Sequence, residues 1–304
     1  MISNKLIALL TAIALQANPT VSAIPTQLDA PVNPPTPIQV IVPPTKIKIE
    51  SLGVRTNAPS VIVADMASGS VLYAKNAEVA RPIASLTKLM TAMVVIDTGL
   101  HPDDLLMVSS NAIEAGEGSH YFNGGEAIPR GIALQAMLSQ SVNELANAFA
   151  DAYPGGRSAF VDAMNAKARV LGLEQTSFSD PSGLNPKNVA SALDVATMLR
   201  SASAYPEIRD ADKMQTMSFN TNSGRAIHLK TTNDLAGSYL NKDPYSIVVA
   251  KTGSLPEAGF CLGQVTRGTQ GQQVVAVALG STDTFSRFQD VKALTGWAFE
   301  AYKW

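Results

Sequence analysis

The chain has 304 residues, 46% hydrophobic and 16% charged, with 23 Lys and Arg against 25 Asp and Glu. That is ample apolar material for one large domain or two small ones, and a formal net charge of -2 excludes the basic footprint of a nucleic-acid binder. His101, His120 and His228 stand apart without ligand spacing and Cys261 is the single cysteine, so neither a metal centre nor an internal disulfide is expected.

Residues 1–23 place Lys5 before an apolar run at 6–15 and end in Val21, Ser22 and Ala23. This is the pattern of a signal peptide cleaved after Ala23, its apolar run too short to span a bilayer permanently. Export follows. Residues 24–45 are crowded with Pro25, Pro31, Pro34, Pro35, Pro37, Pro43 and Pro44. Such a tract favours extended polyproline II and packs no core. We read it as a linker, with docking by a partner domain as the alternative. The remaining 46–304 are read as one folded domain, its first strand signal near Ser60.

Residues 60–65 and 71–73 flank a turn at Ala67, Ser68 and Gly69, a hairpin that feeds the stretch R-P-I-A-S-L-T-K-L-M-T-A-M-V-V-I-D-T-G at 81–99. Pro82 fits a first helical turn there, Gly99 a C-terminal stop, and most positions between are apolar, so the helix is buried. A lysine in such a helix needs a reason. At i to i+3, Ser85 and Lys88 share one face, and a lysine held in poor solvent releases its proton to become a base for the neighbouring hydroxyl. The competing reading of Ser85 is a helix N-cap.

Residues 114–125 are polar and glycine-rich, a surface loop with Tyr121 and Phe122 leaning over a cleft. A helix ends at Leu138, and a second follows with Leu145, Ala146, Phe149 and Ala150 apolar. In the bend between them Ser141 and Asn143 aim two short polar side chains one way, unless they are simple caps. Ser158 is expected to cap the next helix, whose apolar face is Phe160, Val161, Met164, Ala168 and Leu171 and whose stop is Gly172. Residues 176–186 form a turn-rich loop, and Ser191 with Asp194 starts a helix to about Ser203. Residues 205–237 give no clear signal. Strands at 246–250, 259–266 and 273–279 make an antiparallel meander, with Lys251, Thr252 and Gly253 directly after the first. A final helix carries Val291, Leu294, Trp297, Ala298 and Ala301. Strands at both chain ends with helices between them specify an α+β fold, its antiparallel sheet assembled from both ends and flanked by helices that include a helical subdomain. Cys261, on a strand beside Lys251, reads as a small buried hydrophobe.

S-x-x-K at Ser85, S-x-N at Ser141 and K-T-G at Lys251 occur in that order. Together with F-S-D-P-S-G-L around Phe178, A-G-F-C-L after K-T-G, and L-G-S and R-F near Arg287, they make the chain resemble the low-molecular-mass penicillin-binding proteins. These are serine D-alanyl-D-alanine carboxypeptidases and endopeptidases of the S11 family, with a β-lactamase/DD-peptidase-like fold. Y-P-G-G at 153–156 and the following M-N-A-K-A-R-V-L-G resemble the D,D-endopeptidase branch. The resemblance implies Ser85 as the nucleophile that becomes an acyl-enzyme, Lys88 as its base, and Ser141 as the relay to the leaving amine. It implies that Asn143 holds the substrate backbone and that the Lys251 charge keeps Lys88 neutral. Thr252 and Arg287 would take the terminal carboxylate. The backbone of Lys251, Thr252, Gly253 and Ser254 would pair with the substrate, the N–H groups of Ser85 and Ser254 forming the oxyanion hole.

The implied partners are peptidoglycan peptides, with β-lactam antibiotics as covalent inhibitors and no cofactor. Membrane-attached members carry a further β-rich domain and a C-terminal amphipathic anchor, which this sequence lacks, so a soluble periplasmic form is expected. An endopeptidase accepts a crosslinked chain in place of a free carboxylate, which lowers the weight on Arg287. A class A β-lactamase shares similar motifs but uses a Glu in E-x-x-L-N after S-x-N. Here Glu174 is followed by Gln175, Thr176 and Ser177. A non-catalytic penicillin-sensing wall-binding module is the other alternative, against which Ser85, Lys88 and Lys251 are all present.

Overall fold

A computed structural model describes residues 41–115 and 120–304. The expected signal peptide, most of the expected proline-rich linker and part of the expected 114–125 loop lie outside the described residues. Pairing starts well before Ser60, because β1 (Thr45–Lys46) lies antiparallel to Tyr302–Lys303 at the far end of the chain. Side-chain hooks hold the stretch that follows. Trp297 Nε1 donates to Ser51 Oγ at 2.7 Å, and the buried Asp290 carboxylate accepts the N–H groups of Asn57 and Ala58 at 2.9 and 2.8 Å.

β2 (Ser60–Asp65) and β3 (Val71–Lys75) form the expected hairpin. Pro82 departs from expectation. It belongs to β4 (Arg81–Pro82), which pairs with Val189–Ala190; Ala84–Leu86 is a 3-10 turn, and α1 runs from Thr87 to Asp97. A proline ring suits an extended edge as well as a first helical turn, and here a distant segment supplies the partner. Gly99, at φ +83°, ends the helix as expected.

β5 (Leu105–Met107) and α2 (Ser110–Glu114) lead to β6 (Ala127–Pro129). Phe122, placed on a surface loop by the sequence, is buried in the core, because polar neighbours mask a single apolar anchor. Then come α3 (Arg130–Ser139), α4 (Asn143–Asp151) and α5 (Gly156–Val170). α5 begins two residues before Ser158, behind Gly155 at φ +88°, so Ser158 lies in its first turn and is not its cap. β7 (Val189–Ala190) precedes α6 (Ala192–Ala202), where Ser191 Oγ accepts the Asp194 N–H at 3.0 Å as expected.

The stretch without signals holds α7 (Pro206–Asp212) and the hairpin β8 (Thr216–Asn220) and β9 (Ala226–Lys230). β10 (Ser246–Leu255) is longer than expected, so K-T-G lies inside the strand. β11 (Gly259–Arg267), β12 (Gln273–Ser281), α8 (Thr284–Ala301) and β13 (Tyr302–Lys303) complete the chain.

The antiparallel sheet has the order β10-β11-β12-β2-β3, so the N-terminal hairpin joins the C-terminal meander where β12 meets β2. Alternation along the strands serves two cores. Val61, Val63, Ala276 and Ala278 face Leu294 and Ala298 of α8, whereas Ile62, Val275 and Val277 face the side of α1 and α6. This is the α+β arrangement expected, and it leaves β10 at an edge of the sheet, against the helical region.

Candidate active site

Ser85 occupies the 3-10 turn that delivers the chain into α1, and Lys88 follows one turn later. The turn is tight: Ala84 sits at φ +48°. Lys88 is 0% exposed, with Nζ 3.0 Å from Ser85 Oγ and 2.7 Å from Asn143 Oδ1, and it also donates to the Ser182 carbonyl. The last two partners are acceptors only. A neutral amine has two hydrogens, which they take, and its lone pair is then left for the Ser85 hydroxyl. Burial pushes Lys88 down to about 7, against the opposing pull of Asp180 and Glu144.

The Ser182 carbonyl is held by a rigid loop. Asp180 Oδ1 accepts the N–H groups of Ser182 and Gly183, both at 2.6 Å, and Oδ2 accepts that of Asn185. Asn188 ties the loop back to α1 through Thr87 Oγ1 at 3.0 Å. Gly183, at φ +87°, passes so close to the Ser85 turn that a Cβ there would lie 2.1 Å from the Ala84 carbonyl oxygen. Gly183→Ala is therefore expected to slow acylation of Ser85 by about a hundredfold, since displacement of about 1 Å at a reacting group has that effect. Stopped-flow acylation by a chromogenic β-lactam is the measurement.

Ser141 bridges α3 and α4 at φ +62°, a left-handed conformation that a non-glycine residue adopts at a cost. Lys251 Nζ donates to Ser141 Oγ at 2.9 Å and to the Thr252 carbonyl at 3.0 Å. It is buried beside Lys88, and burial first, then the repulsion the two amines would exert on each other if both were charged, hold it well below the usual lysine range. Asn143 opens α4. Gly253 presses on the Ser85 turn: a Cβ there would lie 2.8 Å from the Ile83 carbonyl oxygen and 3.1 Å from the Ser85 nitrogen. Ser254 is exposed on the same edge. The structure thus brings Ser85, Lys88, Ser141, Asn143, Lys251, Gly253 and Ser254 to one cleft, with two hydroxyls each paired to a lysine amine.

Arg287 is placed differently. The residue is 7% exposed, and its guanidinium donates to the Gly253 carbonyl at 3.1 Å and lies 4.7 Å from the Phe288 ring and 5.6 Å from the Phe260 ring. Cys261 is fully buried, its thiol pushed up to about 11 by burial.

Several participants have no sequence signal. Thr232 donates its N–H to the Ser139 carbonyl at 3.0 Å and shares a 2.6 Å hydrogen bond with Thr252 Oγ1, joining the S-x-N turn to K-T-G. Asp212 accepts the Ala250 N–H at 2.6 Å. Both lie in the stretch that reads as featureless. The Asp-Pro-Ser-Gly turn at 180–183 is readable as a turn, but nothing in it shows that one of its carbonyls meets a lysine.

The peptidase S11 family model, D-alanyl-D-alanine carboxypeptidase, matches residues 47–283. The chain belongs to this family. This S11 peptidase is 36% identical over 243 residues to the D-alanyl-D-alanine endopeptidase of Pseudomonas aeruginosa, a match covering 78% of this chain and 76% of that one. It is 33% identical over 241 residues to the D-alanyl-D-alanine endopeptidase of Escherichia coli, with the same coverage. Among solved structures, the Streptomyces K15 DD-transpeptidase superposes with a TM-score of 0.76 at 26% identity, covering 82% of this chain and all of that one. Penicillin-binding protein D2 of Listeria monocytogenes, in its cefotaxime-bound form, gives 0.67 at 27% identity, again covering 82% of this chain and all of that one. The S11 peptidase therefore has the DD-peptidase fold, and it is a serine-type D-Ala-D-Ala carboxypeptidase/endopeptidase by family.

Proposed function

We propose that this S11 peptidase cleaves the bond between D-alanine-type residues of peptidoglycan stem peptides through an acyl-enzyme on Ser85, and that β-lactams acylate the same oxygen. The observation that carries this reading is the buried Lys88 amine, 3.0 Å from Ser85 Oγ with its other contacts made to obligate acceptors. Lys88 takes the Ser85 proton as Oγ attacks the carbonyl, and the developing oxyanion sits between the Ser85 and Ser254 N–H groups. Ser141, hydrogen-bonded to Lys251, passes a proton to the leaving amine, so the amide bond breaks as the ester forms. Lys88 then activates the water that hydrolyses the ester. Asn143 orients Lys88 and holds the substrate backbone, and Thr252 binds the carboxylate beside the leaving amine.

The placement of Arg287 favours endopeptidase action. A guanidinium tucked under β10 and engaged by the Gly253 carbonyl gives a free terminal carboxylate little grip, and two similar relatives are named endopeptidases. Digestion of purified peptidoglycan, with products separated by mass, is expected to convert crosslinked dimers to monomers. Loss of one D-alanine from monomers with dimers left intact would reverse the assignment. We place the enzyme in the periplasm, in keeping with the signal-peptide pattern. Among the described residues no helix is long and apolar enough to cross a membrane.

A further inference from the structure

Residues 120–123 are fastened one by one. The β8–β9 hairpin holds them on one side, where Arg225 Nη2 donates to the Tyr121 carbonyl at 2.7 Å. The buried Glu126 carboxylate accepts the Asn123 N–H at 2.7 Å, and its other oxygen accepts Thr221 Oγ1 at 3.0 Å and Ser223 Oγ and Arg225 Nε at 2.8 Å. Phe122, between the two attachments, is buried in the core. On the other side the acceptor is Glu144, in the first turn of α4. Its Oε1 takes the Tyr121 N–H at 2.8 Å and lies 3.6 Å from His120 Nδ1, the Glu144 side chain being 1% exposed and that of His120 43%.

Glu144 directly follows Asn143, whose Oδ1 accepts from Lys88 Nζ at 2.7 Å. The 120–123 segment and the lysine are therefore fixed to the same helical turn. A neutral glutamine would accept the Tyr121 N–H equally well, without the desolvation cost of burying a carboxylate. The charge thus acts on something besides Tyr121. The charged groups around Lys88 are Asp180 from the 180–183 loop, Glu144 from α4 and Lys251 from β10, with Asp212 of α7 and Arg287 of α8 acting in turn on Lys251. Burial favours the neutral Lys88 amine, and the two carboxylates oppose it. Asp180 is engaged by the N–H groups of its own loop, Ser182, Gly183 and Asn185. A general base works best when its proton affinity is neither too high to be free nor too low to pull, and a carboxylate beside a buried lysine moves it toward that middle.

We propose that Glu144 is a positioning residue of the acylation step: it fastens the 120–123 segment to the turn that carries Asn143, and its negative charge keeps Lys88 basic enough to take the Ser85 proton. The inference rests on the reading of Lys88 as the base. Glu144 touches neither substrate nor the reacting atoms in this scheme; it acts through Asn143 and through the field at the amine. His120, on the exposed side of the same carboxylate, is the place from which that field can be altered without disturbing the core.

The test is the pH dependence of acylation by a chromogenic cephalosporin, followed by stopped flow at fixed low ionic strength in wild type, Glu144→Gln, Glu144→Asp and His120→Lys. Glu144→Gln keeps an acceptor for the Tyr121 N–H and removes the charge. Its rising limb is expected to move to lower pH by about half a unit, because an anion no longer favours the charged amine. Its plateau is expected to fall about twofold, as Brønsted behaviour requires of a weaker base. Glu144→Asp keeps the charge and is expected to return the limb toward its wild-type position. His120→Lys sets a cation at an exposed position beside Glu144 and is expected to move the limb in the same direction by about a quarter of a unit, an effect that added salt screens. It decides the matter if Glu144→Gln does not fold. An unmoved limb in the deciding variant, even with a lower rate at every pH, makes Glu144 a structural anchor alone and overturns the proposal. A wild-type rate without a rising limb overturns instead the reading of Lys88 as the base.

Discussion

Ser85→Ala is expected to abolish covalent labelling by a fluorescent penicillin while leaving the fold intact. Ser85 is partly buried in the cleft and its Oγ makes one short contact, to Lys88. Removing one hydroxyl from a tight turn whose backbone is held by Gly183 and Gly253 costs little packing. The chemistry has no substitute: Ser141 Oγ is engaged by Lys251, which is not the base seated beside position 85. Loss of a nucleophile that acts as a unit with its base reaches about a million-fold in other serine hydrolases. A gel after labelling, with a thermal melt of the same sample, is the measurement. An adduct on the folded mutant would move the nucleophile elsewhere.

Lys88→Met is expected to lower acylation about a thousandfold or more, the upper part of the range for general base catalysis. Methionine nearly matches the volume of the lysine and removes an amine that burial disfavours, but it strips Asn143 Oδ1 and the Ser182 carbonyl of a donor. These effects oppose each other, so a cooperative melt close to that of wild type is expected. The wild-type pH profile is the companion measurement. A lysine pushed down to about 7 is charged and useless as a base below that value, and acquires its lone pair above it. The acylation rate should therefore rise as pH increases through about 7, and Lys88→Met should lose that limb. A wild-type rate that stays flat or falls across the neutral range would remove Lys88 from the role of base.

Asp180 and Gly183 show how little of the supporting site is local. Asp180 orders its own loop by accepting neighbouring N–H groups, which its sequence context allows one to read as a turn. That the turn places the Ser182 carbonyl against a lysine 94 residues away depends on packing. The same holds for Pro82, whose extended conformation is set by pairing with Val189. It holds for Phe122 as well, whose burial no alternation announces. Thr232 and Asp212 sit in a stretch of weak periodicity, and their importance lies wholly in what they touch.

By itself the amino-acid sequence determined the α+β class, the hairpin at 60–73, the C-terminal meander, the Ser85–Lys88 pair and the order of the three motifs. Each of these is written within a few residues, through alternation, turn chemistry or a one-turn spacing that brings two side chains together in almost any tertiary setting. Only the tertiary structure decided which acceptors claim the hydrogens of Lys88, that the Ala250 N–H of β10 goes to Asp212, and that Arg287 turns beneath the strand. Those outcomes join segments that meet only when the sheet edge closes on the helical region. The contact of Lys251 with Ser141, across 110 residues, exists only once both surfaces are packed.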